Sequence, residues 1–307
     1  MRQTPPAGSN KLETPRIAIF GCDWVAAESV YSLINQARRV EIILFGDGAA
    51  NLQRRVEALC IEAPVANGST VRLGQTYDLS SAAIAVISST ALPVDGETED
   101  TYLGRKVELV RNDVRFAKNA GFNGILIVTT SPTEITAEAA LVVSGFASTR
   151  VIGIGPQQAS VFEVSGAYRT PATIWCTATC SYASYFDSCH PDCPYFEEIT
   201  ARFRSLKAAA PVGKEAMASC VMRVCDSILA DEMAVLPVAV MTTGQHGIMG
   251  VFSTLPCVIG ARGIERVLEL GMSPEEKHKM LEKARNFGRL SHQLNKRAIA
   301  TAKSAAN

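Results

Sequence analysis

The segment IAIFGCDWVAAESV, residues 17–30, decides the fold that this sequence predicts. Its first four residues are typical of a buried strand, Gly21 follows them, and the next residues have the composition of a first helical turn. A strand that enters a helix through a glycine turn opens a nucleotide-binding βαβ unit, whose turn usually reads G-x-G-x-x-G. Here Gly21 holds the first glycine position, whereas Asp23 and Ala26 stand at the second and third. The segment predicts a dinucleotide fold but leaves open whether a dinucleotide binds.

Apolar segments alternate with helical patterns through the first half of the chain. Five near-continuous apolar runs are typical of parallel strands buried on both faces, at 16–21, 40–46, 82–88, 124–130 and 150–155. Helical patterns between them cover 25–38, 49–60, 101–119 and 133–144. This alternation predicts an α/β fold with a Rossmann-type doubly wound parallel sheet over residues 15–155.

The second half has a different pattern. Strand-like segments occur in ATIWCTA and AVLPVAVMT, and GVFSTLPCVIG contains a strand or a hairpin. Long helices are predicted at 195–209, 214–230 and 273–303. We therefore predict three parts, which are a flexible polar tail at 1–14, the Rossmann-like domain at 15–155 and a mixed α/β domain at 156–307.

Composition limits the classes of function. Hydrophobic residues make up 47% of the 307 residues, which favours a well-packed globular protein. Thirty basic residues balance thirty acidic ones without a basic cluster, so nucleic acid is excluded as an expected partner. No apolar run has the length of a membrane span and no signal peptide is evident, and nine cysteines fit reduced thiols. We expect a soluble, cytoplasmic protein without membrane partners.

Several longer segments carry a family resemblance. In the first half they are ALPVDGETED, GFNGILIVTTSPTEI and RVIGIG, and in the second half DSILADEMAVLPVAV and GQHGIMGVFSTLPCVIGARGIERVLELGMSPEEKHKM. Together they resemble the lactate/malate dehydrogenase family over nearly the whole chain after the tail. VIGIG and LPCVIG also resemble the dehydrogenase-like domain of ubiquitin-conjugating-enzyme-variant proteins. The resemblance implies an NAD-binding Rossmann domain followed by a C-terminal α/β domain of lactate/malate dehydrogenase type.

The resemblance also identifies the positions that would bind NAD. Gly21, Asp23 and Ala26 form the degenerate phosphate turn, where the carboxylate of Asp23 would repel a pyrophosphate. The family's ribose-binding acid pairs with Gly46, and Asp47 follows one residue later. A shift of one residue would restore that contact, so this alternative stays open.

The substrate positions depart from the family as well. The loop arginine that would polarise a ketone pairs with Glu99, which reverses the charge, and the asparagine of the T-N-P motif pairs with Ser131. The family's orienting aspartate and its carboxylate-binding arginine pair with Ala159 and Phe162. A phenyl ring cannot replace the bidentate contact of an arginine.

The position of the catalytic histidine has two alternatives. The strand TIWCTATC leads to Cys180 in the favoured pairing. A longer insertion would instead pair CHPDC with the family motif, and His190 would then remain as a proton-transfer group.

Simpler interpretations apply to several of these residues. Asp23 can act as a helix cap with Trp24 as a packed ring, and Glu97, Thr98 and Glu99 can form a solvated loop with a cap. The cysteines around His190 match no strong zinc pattern, so no metal is expected.

Five functional positions differ from the family together, while the segments that form its packed core still resemble it. The sequence therefore predicts a catalytically inactive, dehydrogenase-like protein with a binding or scaffolding role and no cofactor. The alternative is an NAD-dependent 2-hydroxy acid oxidoreductase with a rebuilt site. By resemblance alone, a homo-oligomer is expected, and an unknown protein partner accompanies the scaffolding role.

Overall fold

The computed structural model describes residues 14–62, 67–155, 214–269 and 274–305. Within these ranges the strands are β1 Arg16–Phe20, β2 Glu41–Phe45, β3 Thr70–Leu73, β4 Ile84–Ile87, β5 Ile125–Val128, β6 Val151–Gly153, β7 Ala234–Thr243, β8 Met249–Gly260 and β9 Gly263–Val267. The α-helices are α1 Trp24–Ile34, α2 Ala49–Glu62, α3 Glu99–Asn119, α4 Thr133–Ser144, α5 Lys214–Ala230 and α6 Pro274–Ala305.

All nine strands belong to one sheet, in the order β3-β2-β1-β4-β5-β6-β7-β8-β9. The first six strands are parallel, and β7, β8 and β9 continue the sheet in antiparallel pairs. The strand order reverses between β1 and β4, which is the topological switch point where doubly wound folds bind ligands. The predicted α/β fold class is confirmed.

The parallel strands are apolar because both of their faces are covered. In β1, Ile17 and Ile19 face the core cluster that includes α1 and α5, whereas Ala18 and Phe20 face the cluster that includes α3. Alternate side chains of β1 therefore pack into two different cores, one on each face of the sheet. This packing fixes the carboxyl ends of the strands, where the candidate site lies.

The predicted elements differ from the observed ones mainly at their ends. The helix predicted at 25–38 ends at Ile34, because the backbone N–H and side chain of Asn35 both donate to the carbonyl of Tyr31 and cap the helix. Strand β3 was missing from the sequence prediction, since its short segment TVRL lacks a continuous apolar run.

Charged residues link β1, β2 and β3 at the β3 side of the sheet. Glu41 of β2 accepts hydrogen bonds from Arg16 Nε at 2.9 Å and Arg72 Nε at 2.7 Å. Arg72 also binds both oxygens of Asp78, each at 2.7 Å. The side chain of Asp78 is 2% exposed, and its bonds to Arg72 lower its pKa to about 2. The four charges fasten β1, β2 and β3 to the 3-10 turn Thr76–Ser81.

The two halves of the chain meet in the sheet and in α6. Gly153 of β6 pairs with Ala239 of β7, and a Cβ atom on Gly153 would lie 2.8 Å from that of Ala239. Helix α6 packs with Met280 against the larger core and with Leu294 against α3 and α4.

Predictions for the second half are tested only in part. The helix predicted at 214–230 and the strand at AVLPVAVMT are confirmed as α5 and β7, and GVFSTLPCVIG forms most of β8. The strand ATIWCTA, the helix at 195–209 and the proposed domain boundary at 155 involve residues outside the described ranges. No helix among the described residues is both long and apolar enough to cross a membrane.

Candidate functional site

The crevice at the carboxyl ends of β1, β2, β4 and β5 holds the predicted cofactor positions. Gly21 follows β1 with a φ of +99°, a conformation that favours glycine. A Cβ atom there would lie 2.8 Å from the carbonyl carbon of Ser88 and from the nitrogen of Ser89. Gly21 is therefore required for the close approach of the first turn to the end of β4.

Asp23 is the N-cap of α1. Its Oδ1 accepts a hydrogen bond from the backbone N–H of Ala26 at 2.8 Å and another from the hydroxyl of Ser88 at 2.8 Å. The interpretation of Asp23 as an Asx-type cap is confirmed. A carboxylate of the chain itself thus complements the positive end of α1, where family folds place a phosphate.

Trp24 begins α1 and is not the packed ring that the simpler interpretation assumed. Its side chain is half exposed, and the guanidinium carbon of Arg55, on α2, lies 3.5 Å from the ring centroid. This cation–π contact places a large aromatic side chain and a cation beside the first turn.

The end of β2 supplies both candidates for a ribose contact. Gly46 has a φ of +115°, and Asp47 is exposed. Gly48 lies directly against the side chain of Cys22, so the loop after β2 packs onto the turn after β1. Asp47 therefore lies at the crevice with its carboxylate facing water.

Asp113 of α3 adds a carboxyl group that the sequence analysis missed. It is hydrogen-bonded to Ser89, and its Oδ2 is buried without a hydrogen-bond partner among the described residues. Burial, reinforced by the charge of Asp47 and opposed by the Ser89 bond, raises its pKa to about 6. The sequence feature that could have identified Asp113 is a lone acidic residue between Val110 and Val114, which are both buried.

Glu99 follows the loop between β4 and α3, and it is the exposed first residue of α3. Thr98 caps this helix through Thr101, as the cap interpretation expected. Glu97 is not solvated, because it binds Arg105 through both oxygens, at 2.7 and 2.6 Å. The same pair lowers the pKa of Glu97.

Ser131 follows β5 and precedes Pro132 through a cis peptide bond. Its carbonyl accepts a hydrogen bond from Lys106 Nζ at 2.8 Å. The neighbouring Thr130 hydroxyl donates to the carbonyl of Ser89 at 2.7 Å and joins the ends of β5 and β4. The sequence analysis did not identify Lys106, since an isolated lysine on a helix predicts only a solvated side chain.

The remaining predicted positions lie outside the described residues. These are Ala159, Phe162, Cys180 and His190, together with the cysteines near His190. Their assignments, including the choice between Cys180 and His190, stay predictions. In the described part, the structure brings together Gly21, Asp23, Asp47, Asp113 and the ends of β4 and β5.

Comparisons with known proteins agree with this fold. A family model described as the lactate/malate dehydrogenase alpha/beta C-terminal domain matches residues 207–297. The chain is 26% identical over 298 residues to an L-lactate dehydrogenase of Priestia megaterium, covering 87% of this chain and 93% of that protein. It is 22% identical over 306 residues to an L-lactate dehydrogenase of Clostridium botulinum, covering 89% and 95%.

Two solved structures show the same architecture. The minor L-lactate dehydrogenase of Enterococcus mundtii superposes with a TM-score of 0.75 at 17% identity, over 91% of this chain and 98% of that one. The malate dehydrogenase of Picrophilus torridus gives a TM-score of 0.70 at 17% identity, over 92% and 99%. The family model and the sequence relatives support membership of the lactate/malate dehydrogenase family, and the solved structures show that the chain has the same fold.

Proposed function

We propose that this chain is a catalytically inactive member of the family that acts through binding or scaffolding. The observation that carries the proposal is the capping carboxylate of Asp23, bound to the backbone of Ala26 and the hydroxyl of Ser88. A helix N-terminus that already holds an anion offers little attraction to the pyrophosphate of a dinucleotide.

Electrostatics sets the size of this effect. Two like charges about 4 Å apart repel by about 4 kcal/mol at an effective dielectric constant near 20, which corresponds to roughly three decades of affinity. Asp47 and Asp113 add carboxyl groups at the same crevice. The residues present therefore do not fit the diphosphate of NAD, and we propose that the protein uses no cofactor.

The substrate positions support the same proposal. Glu99 carries a negative charge where the family resemblance expects a polarising cation. Ala159 and Phe162, assigned by resemblance, would remove the orienting acid and the carboxylate anchor. Loss of a buried ionic anchor typically costs about 2 to 5 kcal/mol of binding free energy.

The alternative function is that of an NAD-dependent 2-hydroxy acid oxidoreductase with a rebuilt site. The relatives named as L-lactate dehydrogenases favour it, because the match covers most of their length. In this alternative, Asp47 would contact the ribose and His190 would transfer the proton.

A hydride-transfer assay distinguishes the two proposed functions. The purified chain is incubated with excess NADH and, in turn, with pyruvate, oxaloacetate and longer 2-oxo acids, while the absorbance of NADH is followed. We expect no oxidation above the rate without protein. Turnover that depends on the 2-oxo acid and on protein concentration would establish the alternative.

We further propose that the chain forms a homo-oligomer and that residue 155 ends the nucleotide-type domain. The family's tendency to self-associate supports the first point. For the second, the observed change from parallel to antiparallel pairing between β6 and β7 is in keeping with a second part of the fold. Sedimentation of the full chain would give the oligomeric state.

A further inference from the structure

We propose that the loop between β4 and α3 is a docking element, whose apolar tip packs against a basic amphipathic helix of a partner protein. This inference deepens the proposed binding role and rests on it. The apolar tip is the run of Leu92, Pro93 and Val94, which are three consecutive exposed residues. Leu92 is 82% exposed and Val94 is 59% exposed. A run of exposed apolar residues is unfavourable in water and is typical of a surface that another molecule covers.

A tight turn orders the chain directly after the apolar tip. The backbone N–H of Glu97 donates to the carbonyl of Val94 at 3.0 Å, and Gly96 has a φ of +78°. A glycine with positive φ at the third position is typical of a type II turn. One carboxylate oxygen of Glu97 also accepts a hydrogen bond from the backbone N–H of Val94 at 3.3 Å. Glu97 therefore holds Val94 through both of its backbone polar groups.

Helix α3 fixes the same loop from one side. Arg105 binds both carboxylate oxygens of Glu97 and donates to the carbonyl of Leu92 at 2.7 Å. The hydroxyl of Tyr102 donates to the carbonyl of Ala91 at 3.1 Å. These bonds restrain the backbone of the apolar tip without using its side chains. A surface that is ordered before binding loses less conformational entropy in the complex, so more of its burial contributes to affinity.

Charges beside the apolar tip determine which partner fits it. Asp95 and Glu99 are exposed, and neither forms an ion pair with a residue in the described ranges. Arg105, the cation that contacts this loop, is already paired with Glu97. Lysine or arginine in a partner would complement the two carboxylates. The same carboxylates would repel nucleic acid and anionic membranes, so the charges favour a protein with a basic contact surface.

The spacing within the apolar tip favours a helix as the contacting element. Leu92 and Val94 are separated by one residue, so their Cα atoms lie at most about 7 Å apart. Side chains three or four positions apart on an α-helix have Cβ atoms about 5 to 6 Å apart. One apolar stripe of a helix can therefore cover both residues, while basic residues beside the stripe face Asp95 and Glu99.

The experiment is a fluorescence-anisotropy titration of the full chain into labelled synthetic helices of about 18 residues, without nucleotide or 2-oxo acid. One helix carries leucines on one face and lysines on the other, and the second helix replaces every lysine by glutamate. We expect the wild type to bind the lysine helix saturably, and the double variant Leu92→Ser with Val94→Ser to bind it at least tenfold more weakly. Val142→Ser, which changes an exposed valine of α4, should bind like the wild type.

Reversing the loop charges tests the chemistry that we assign to the partner. Asp95→Lys with Glu99→Lys should lose binding of the lysine helix and gain binding of the glutamate helix. Arg105→Gln keeps the apolar tip but releases its backbone, so we expect weaker binding of the lysine helix and faster hydrogen exchange at the Val94 N–H. Circular dichroism and urea unfolding check that every variant is folded.

Three titration results would overturn the inference. They are no binding of the lysine helix by the wild type, equal binding by Leu92→Ser with Val94→Ser, and equal binding of the two helices. Self-association that this double variant abolishes would assign the apolar tip to a second copy of the chain, and would overturn the inference as well. Hydride transfer in the separate assay would contradict the proposed inactivity without changing the titration, whereas a failed titration leaves the proposed inactivity in place.

Discussion

Asp113 is a carboxyl group whose protonation depends on folding. Burial raises its pKa from 3.8 to about 6. Between these values the folded chain holds a proton that the unfolded chain has released, so its contribution to stability falls as the pH rises through this window. Two pKa units correspond to about 3 kcal/mol in full. The carboxyl group therefore opposes folding at neutral pH.

Replacing Asp113 by Asn should remove this pH-dependent loss. Asn keeps a hydrogen-bonding group for Ser89 but cannot ionise, so from about pH 5 to about pH 7.5 the variant should gain about 1 kcal/mol relative to the wild type. Urea unfolding at both pH values measures the difference. Asp95→Asn, at an exposed carboxyl group, should show no such gain, and an equal pH dependence in wild type and Asp113→Asn would contradict the assigned pKa.

Asp23 combines two effects that can be separated by substitution. Asp23→Ala removes the cap and should lower the free energy of unfolding by about 1 kcal/mol. Asp23→Asn keeps an oxygen for the Ala26 N–H and removes the charge, so its stability should be nearly unchanged. Thermal unfolding compares the two variants, and equal losses would show that the cap bond itself contributes little.

Restoring the glycines tests the coenzyme and substrate positions separately. The double variant Asp23→Gly with Ala26→Gly should gain some NADH affinity but no turnover, because Glu99 and the predicted Phe162 remain. NADH titration and a hydride-transfer assay measure the two properties. Oxidation of lactate or malate by this variant would show that the substrate positions are misassigned.

At the scale of elements, an ion network links β3, whose side chains are exposed or only partly buried, to β1, β2 and the turn Thr76–Ser81. Asp78→Asn leaves Arg72 without its buried partner and should lower the free energy of unfolding by about 3 kcal/mol. Chemical denaturation measures this loss. As a control, Glu232→Gln breaks a surface pair with Arg223 and should cost less than about 1 kcal/mol. Similar losses in both variants would indicate that the network has no special role.

The pair of Asp78 and Arg72 gives the stability a pH dependence that is opposite in sign to that of Asp113. The pKa of Asp78 is lowered from 3.8 to about 2 by its bonds to Arg72. Its stabilising contribution is therefore complete above about pH 4 and is lost as the pH falls toward 2. Asp78→Asn should unfold with a weaker acid dependence than the wild type.

Strands were predictable from the sequence where their runs of apolar residues were continuous. β1, β2, β4 and β5 have buried faces on both sides, and their segments could be read from residue type alone. β3 could not, because its polar side chains are satisfied by partners distant in sequence, such as Arg72 with Glu41. Such long-range partners leave no local signal.

At the scale of the whole molecule, Gly153 joins the parallel and antiparallel parts of the sheet. A Cβ atom there would lie 2.7 Å from Thr133 Cγ2 and 2.8 Å from Ala239 Cβ. Gly153→Ala should therefore destabilise the chain by about 1 to 3 kcal/mol. Gly104→Ala, in α3, where the new Cβ would meet no atom of the described residues within 4 Å beyond its own helical turn, should instead stabilise it by about 0.5 to 1 kcal/mol. Differential scanning calorimetry compares them, and stabilisation by both would contradict the close packing.

The site was only partly predictable from sequence. Asp23 was identified because it interrupts a local glycine pattern, and the structure adds its partner Ser88, which follows β4. Asp113 and Lys106 were missed, since each gains its environment from strand ends that are distant along the chain. Lys106 also places a cation near a crevice that the sequence alone presented as lacking one.

The most direct test of the central claim is a titration of the wild type with NADH, followed by quenching of tryptophan fluorescence. Asp23→Asn, which keeps the helix cap without its charge, serves as the matched comparison. If the carboxylate excludes the coenzyme, the wild type shows no saturable quenching in the micromolar range and Asp23→Asn binds at least tenfold more tightly. Saturable micromolar binding by the wild type, unchanged in Asp23→Asn, would contradict the claim.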